Sequence, residues 1–85
     1  MQISQTDVFE KDILHLGNDL RLRLKKAIEK ISLNPTLGKP LRHFSNVFSE
    51  RIENKRLIYQ LRKNDVLLVC FKNRDEVYDY VNSLL

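Results

Sequence analysis

The chain has no tryptophan, one cysteine, two prolines and two glycines, and no apolar run approaches the roughly 20 residues that span a bilayer. Each scarcity removes a class. The single cysteine, Cys70, forms no internal disulfide, so the fold must rest on its core, and a cytoplasmic setting is expected. The missing apolar run excludes a helical membrane protein, and no signal-peptide pattern opens the chain. Internal repeats and low-complexity segments are also absent. What is present fits a small globule: 85 residues, 42% apolar and 31% charged. That is one domain, 1–85, with a thin core that buries somewhat more than about 60% of the unfolded surface. The net charge of +4 permits an anionic partner, nucleic acid or acidic protein, without choosing between them.

Periodicity orders the elements. Residues 2–6 read as an opening strand. Thr6 or Asp7 can cap a helix through "VFEKDILHL", in which Phe9, Ile13 and Leu16 form one apolar stripe. Gly17-Asn18 stops it. Asp19 then caps a longer helix with Leu20, Leu24, Ala27, Ile28 and Ile31 on its buried side. Asn34-Pro35 ends that helix, because a residue before proline is pushed out of the α region. Residues 34–47, "NPTLGKPLRHFSNV", form a long connection of the length that often carries function. Three strands at about 48–53, 56–62 and 65–72 follow, joined by short turns. A helix over 75–84 closes the chain, with Val77, Val81 and Leu84 on one side. The expected fold is α+β: a small antiparallel sheet with two N-terminal helices on one face and a short C-terminal helix.

Two-residue turns at Asn54-Lys55 and Lys63-Asn64 would place Phe48, Ile52, Leu57, Tyr59, Leu61, Val66, Leu68 and Cys70 on one sheet face. That face is apolar and belongs under the N-terminal helices, which makes Cys70 a small core residue. The other face carries Arg51, Glu53, Arg56, Ile58, Leu67, Val69, Phe71 and Asn73. Its apolar half needs the C-terminal helix as cover. At its polar end Arg51, Arg56 and Arg74 converge, with Tyr78 one helical turn beyond Arg74, around a shallow pocket fit for a phosphate. The same residues admit a structural account: Glu53 and Arg56 as a cross-strand ion pair, Arg74 tethered by Asp75 or Asp79, and Tyr78 as amphipathic cover.

"FEKDILHL", "KAIEKISLNPTLGKPLRHF", "SERIENKRLIYQL" and "KNRDEVYDYV" resemble, in order and spacing, the RelE/ParE superfamily of type II toxin–antitoxin toxins. The resemblance is RelE-like, with a strand pair similar to YoeB. It implies a RelE-like fold, a cognate RelB-like antitoxin that folds as it wraps the toxin, and no direct DNA binding by the toxin alone. It also implies a ribosome-dependent endoribonuclease that cuts mRNA in the A site without metal or cofactor. There the ribose 2′-hydroxyl attacks the adjacent phosphodiester, leaving a 2′,3′-cyclic phosphate and a 5′-hydroxyl. The implied phosphate-contacting arginines fall on Arg56 and Arg74, and the tyrosine on Tyr78. Arg51 and Glu53 complete the candidate set, with Glu53 or Tyr78 as base and Lys55 or Arg74 as acid.

The sequence departs from that pattern in three places. The lysine pair of the strand before the hairpin is replaced by Ser49-Glu50-Arg51. The loop around Gly38-Lys39-Pro40-Leu41 lacks the glutamate of YoeB-like members, and the lead-in to the last arginine reads Lys72-Asn73-Arg74. A ParE-like gyrase inhibitor and an inactive homologue that only binds antitoxin are therefore the competing readings.

Overall fold

The structure, a computed structural model, describes residues 2–84; Met1 and Leu85 of the 1–85 domain lie outside them. The elements run β1 (Gln2–Gln5), α1 (Asp7–Asp12), α2 (Asn18–Leu33), β2 (Lys39–Pro40), β3 (Val47–Ile52), β4 (Lys55–Leu61), β5 (Asp65–Asn73) and α3 (Arg74–Ser83). They build one sheet in the order β1-β5-β4-β3-β2. The α+β architecture is the one expected, but the sheet is mixed rather than wholly antiparallel. β1 lies parallel to β5, and the chain between them, through both helices and β2–β4, supplies the long connection that a parallel pair requires. The 34–47 connection also contains β2, which pairs with Phe48 and Ser49 of β3.

α1 takes over from β1 along the edge of β5. The Thr6 hydroxyl accepts from the Phe9 N–H at 3.0 Å, capping α1, and donates to the Val69 carbonyl at 2.6 Å. At the other end, Asp12 accepts from the Phe71 N–H at 3.0 Å and from Lys72 Nζ at 2.7 Å. The helix stops at Asp12, short of the Leu16 that periodicity suggests. The Ile13 carbonyl is taken by the Arg21 guanidinium at 2.7 Å, so one of the helix's final acceptors is satisfied from α2. α2 starts one position before the expected Asp19 cap. Gly17 is its N-cap, and Asp19 sits in the first turn, where a carboxylate complements the helix dipole.

Two apolar clusters sandwich the sheet. Phe9 of α1 with Leu24 and Ile31 of α2 covers Phe48, Ile52, Leu57, Tyr59, Val66, Leu68 and Phe71. Val77 and Val81 of α3 cover Ile58 and Cys70. Leu84 stays 58% exposed rather than joining them. Cys70 is buried as expected, but on the α3 side, and Phe71 has crossed to the α1/α2 side. The cause is a register shift between Ile58 and Tyr59: Tyr59 opposes Leu68, yet Ile58 opposes Cys70 and Leu57 opposes Phe71. The extra residue, Val69, is a bulge whose carbonyl is the one Thr6 holds. Burial pushes the Cys70 thiol up to about 12, which makes it inert as a nucleophile.

Tyr59 ties the 34–38 segment to this frame. Its hydroxyl accepts from the Gly38 N–H and donates to the Pro35 carbonyl, each at 2.9 Å. A Cβ at Gly38 would meet the Ser49 carbonyl oxygen at 2.9 Å, so the loop approaches β3 as only glycine allows. Tyr59→Phe strands one donor and one acceptor, and urea unfolding should show a loss of about 1–3 kcal/mol. On the β4–β5 turn, Asp65 accepts from Arg62 Nε at 2.8 Å and from the Ser4 hydroxyl at 2.6 Å. The Arg62 hydrogen bond, then that of Ser4, holds the Asp65 carboxyl down at about 2, below its ordinary 3.8. A depressed carboxylate contributes stability above its unfolded pKa and loses it as pH falls through the folded one. In acid titrations the stability difference between wild type and Asp65→Asn should therefore hold above pH 3.8 and close by about pH 2.

Candidate functional site

The β3–β4 hairpin turns at Glu53-Asn54, one residue earlier than expected, with Ile52 opposite Lys55. Glu53 adopts φ 57°, a left-handed conformation that strains a side-chain-bearing residue. The earlier turn shifts every partner by two, so the faces of β4 are those the sequence suggests while the pairs differ. Arg51 now lies directly opposite Arg56, and Arg56 directly opposite Lys72. Like charges facing each other across a ladder are destabilising; Lys72 is offset by its Asp12 partner, so the uncompensated pair is Arg51 with Arg56.

The row borders a cleft of about 220 Å³ lined by Arg51, Asn54, Lys55, Arg56 and Arg74. No carboxylate lines it. Among the described residues none of its three arginines has a salt-bridge partner. The Arg51 Nε donates to the Glu53 carbonyl at 3.0 Å, which fixes that guanidinium at the turn. Lys55 Nζ donates to the Asn73 side-chain oxygen at 3.4 Å. Asn73 in turn caps α3 in a capping box with Glu76, and so delivers Arg74 to the cleft as the first helical residue. The Arg74 guanidinium stands 6.0 Å from the centre of the Tyr78 ring, at the outer limit of a cation–π contact. Tyr78 is 50% exposed.

Of the residues singled out in the sequence, Arg51, Arg56 and Arg74 share this cleft, and Tyr78 flanks it through Arg74. Glu53 does not join them. Its carboxylate points toward α2 and pairs with Arg23 at 3.5 Å, so neither the Glu53–Arg56 ion pair nor a base at Glu53 has a counterpart in the geometry. Arg74 is paired with neither Asp75 nor Asp79. Asn54 is an additional lining residue that the shifted turn brings in. No group of three or more His, Cys, Asp or Glu side chains among the described residues has the arrangement of a metal site. No helix among them is long and apolar enough to cross a membrane.

A second, larger cleft of about 530 Å³ adjoins the first. Arg56 lines both; the larger one is walled by Leu41 and Phe44 of the loop and by Val77, Tyr78 and Val81 of α3. Ser49, whose hydroxyl is buried, lies in its lining.

No protein-family model and no curated protein matches the sequence. Solved structures do match the backbone. The isolated E. coli RelE toxin superposes with a TM-score of 0.77 at 24% identity, covering 99% of this chain and 98% of that one. The fold is RelE-like. The RelB–RelE antitoxin–toxin complex from Methanococcus jannaschii gives 0.74 at 23% identity, over 91% of this chain and 96% of that one. A YoeB/ParE toxin from Agrobacterium tumefaciens gives 0.78 at 15% identity, over 87% and 99%. The likeness is one of fold.

Proposed function

We propose that this chain is the toxin of a toxin–antitoxin pair and acts as a ribosome-dependent mRNA endonuclease. The observation that carries the reading is the basic cleft: Arg51, Arg56 and Arg74, with Lys55, line about 220 Å³ without a carboxylate among them. Arg51 and Arg56 are held face to face at a cost in stability. Such a cluster is what an anion with charge on several oxygens requires, and guanidinium forks match phosphate geometry.

In the proposed reaction the 2′-oxygen gives its proton to solvent water and bonds to phosphorus, the bond to the 5′-oxygen breaks, and that oxygen takes up a proton from Lys55. Negative charge grows on the non-bridging oxygens midway. Arg51, held at the turn by its bond to the Glu53 carbonyl, acts with Arg56 and Arg74 to stabilise that charge most at the transition state. The same cations favour the alkoxide form of the attacking oxygen. Lys55, held at the cleft by Asn73, is the proton donor to the leaving oxygen, and Tyr78 stacks on the RNA beside Arg74. Glu53 serves the site from the turn. Its carboxylate pair with Arg23 and its carbonyl bond to Arg51 hold the backbone that sets the cleft. RelB–RelE complexes among the fold neighbours support an antitoxin partner, one that would counter the cationic cleft with acidic residues and fold on binding.

Primer extension on a translated mRNA tests the reading. Cuts inside codons should need ribosomes and should vanish with Arg74→Ala. A folded wild-type protein that leaves the message intact would sink the nuclease reading. Inhibition of DNA gyrase in a supercoiling assay would then establish the ParE-like alternative.

A further inference from the structure

The basic cleft does not end at Arg51. Arg51 also lines a third cleft, of about 400 Å³, between α2 and the outer edge of β3. β2 pairs only with Phe48 and Ser49 of β3, so among the described residues no strand closes the sheet edge from Glu50 to Ile52. The two clefts share Arg51 across that open edge.

Arg23, Lys26 and Lys30 of α2 line the third cleft. They follow one another at spacings of three and four, which sets three like charges on one helix face, an arrangement that weakens a helix. Lys26 and Lys30 are exposed and have no salt-bridge partner among the described residues, while Arg23 meets Glu53 at 3.5 Å. Ala27, Leu37 and Ile52 supply apolar lining between them. Two adjoining clefts that each gather cations at a cost, joined by one arginine, fit a ligand that carries negative charges at intervals along a chain. Glu50 separates two kinds of polyanion. It lines the third cleft, and an ionised carboxylate only accepts hydrogen bonds. A ribose hydroxyl or a base amine can donate to it, whereas the carboxylates of an acidic protein segment would be repelled.

We infer that the cleft between α2 and β3 is a second phosphate site for the RNA strand held in the basic cleft. The strand turns over the open edge of β3 at Arg51, and Lys26 and Lys30 hold a phosphodiester at least one nucleotide away from the one that reacts. The inference deepens the endonuclease reading and rests on it for the chemistry in the basic cleft. Lys26 and Lys30 touch no reacting atom and serve binding alone.

The test is fluorescence anisotropy of the full chain with RNA oligonucleotides that carry a 2′-deoxy sugar at the central step, so that they cannot be cut, lengthened one nucleotide at a time from either end. Affinity should rise about tenfold in a single step, at one end only, when the strand becomes long enough to reach α2, the size of one charge-assisted hydrogen bond. Lys26→Gln/Lys30→Gln should remove that step and leave the shortest oligonucleotide bound as by wild type. It should also lower the salt slope of the longest by about 1.4, at about 0.7 per phosphate contact on a single strand. Both side chains are exposed, so the double variant should unfold in urea where wild type does. An affinity that climbs smoothly from both ends, or a step that survives in the double variant, would overturn the inference while cleavage by wild type in primer extension still stood. An oligoglutamate peptide that binds through the same two lysines would overturn it in favour of an acidic protein partner. Weakened binding of the double variant to ribosomes free of message would overturn it in favour of ribosomal RNA. A wild-type chain that binds no oligonucleotide and leaves a translated message intact would sink the endonuclease reading and this inference with it.

Discussion

Arg56→Met should slow RNA cleavage on the order of 100- to 1000-fold, the usual cost of removing one preorganised oxyanion donor. The same substitution should leave the fold as stable as before or slightly more so. Arg56 is the middle of a cationic row, opposite Arg51 on one side and Lys72 on the other. Methionine keeps an aliphatic stem and removes one uncompensated like-charge pair, that with Arg51, worth a few tenths to about 1 kcal/mol; Lys72 is already offset by Asp12. The two readouts therefore move in opposite directions, a pattern that a merely structural arginine does not give. Single-turnover cleavage on ribosomes and urea unfolding of the free protein would be measured on the same preparation. Cleavage within about threefold of wild type would remove Arg56 from the chemistry, since a transition-state contact is worth far more. A stability loss well beyond about 1 kcal/mol would mark it as a structural residue whose activity loss is secondary.

The grouping of these arginines is legible in the sequence even though the pairs are not. Placing the hairpin turn one residue late changes each partner by two positions, and a shift of two keeps every side chain on its own face. So Arg51 and Arg56 emerge together, and Phe48, Leu57 and Tyr59 fall on the core side, whichever turn is chosen. The position of Glu53, by contrast, depends on that choice. As a flanking residue it would share the arginine face; as a turn residue with φ 57° it points to Arg23 instead. The bulge at Val69 is not legible at all. Nothing between Asp65 and Asn73 distinguishes a continuous strand from a bulged one, because both Cys70 and Phe71 are apolar and either face can bury them. What selects the bulge is distant in sequence: Thr6 takes the Val69 carbonyl and Asp12 takes the Phe71 N–H. The parallel β1 is hidden likewise, since four residues of a polar opening strand carry no sign of which edge they join.

Asp12 connects this edge to the basic cleft, and its removal should be strongly destabilising. Its two carboxylate oxygens serve the Phe71 N–H and the Lys72 ammonium. The Asp12 and Lys72 side chains are only 12% and 19% exposed. Asp12→Ala leaves both donors without their partner, so the loss should approach the roughly 3–5 kcal/mol typical of breaking a buried pair from one side. Asp12→Asn can still accept from the Phe71 N–H and should lose about half as much, whereas Lys72→Met added to Asp12→Ala should recover part of the deficit by removing the stranded charge. The pH dependence has a definite sign. Burial works against the charged Lys72, but the hydrogen bond and charge of Asp12 outweigh it, and its pKa is raised above the ordinary 10.5. A raised lysine contributes stability that is complete below its unfolded pKa and lost as pH rises through the folded one. The gap between wild type and Asp12→Ala in urea midpoints should therefore be flat from neutral pH to about pH 10 and narrow above it. Activity should fall further than stability alone explains. Phe71 and Lys72 immediately precede Asn73 and Arg74, so a loosened edge lets the α3 cap drift, and an arginine misplaced by about 1 Å can cost on the order of 100-fold in rate. If Asp12→Ala unfolds at the wild-type urea concentration, the carboxylate holds nothing, and the bulge must be kept by Thr6 and core packing alone.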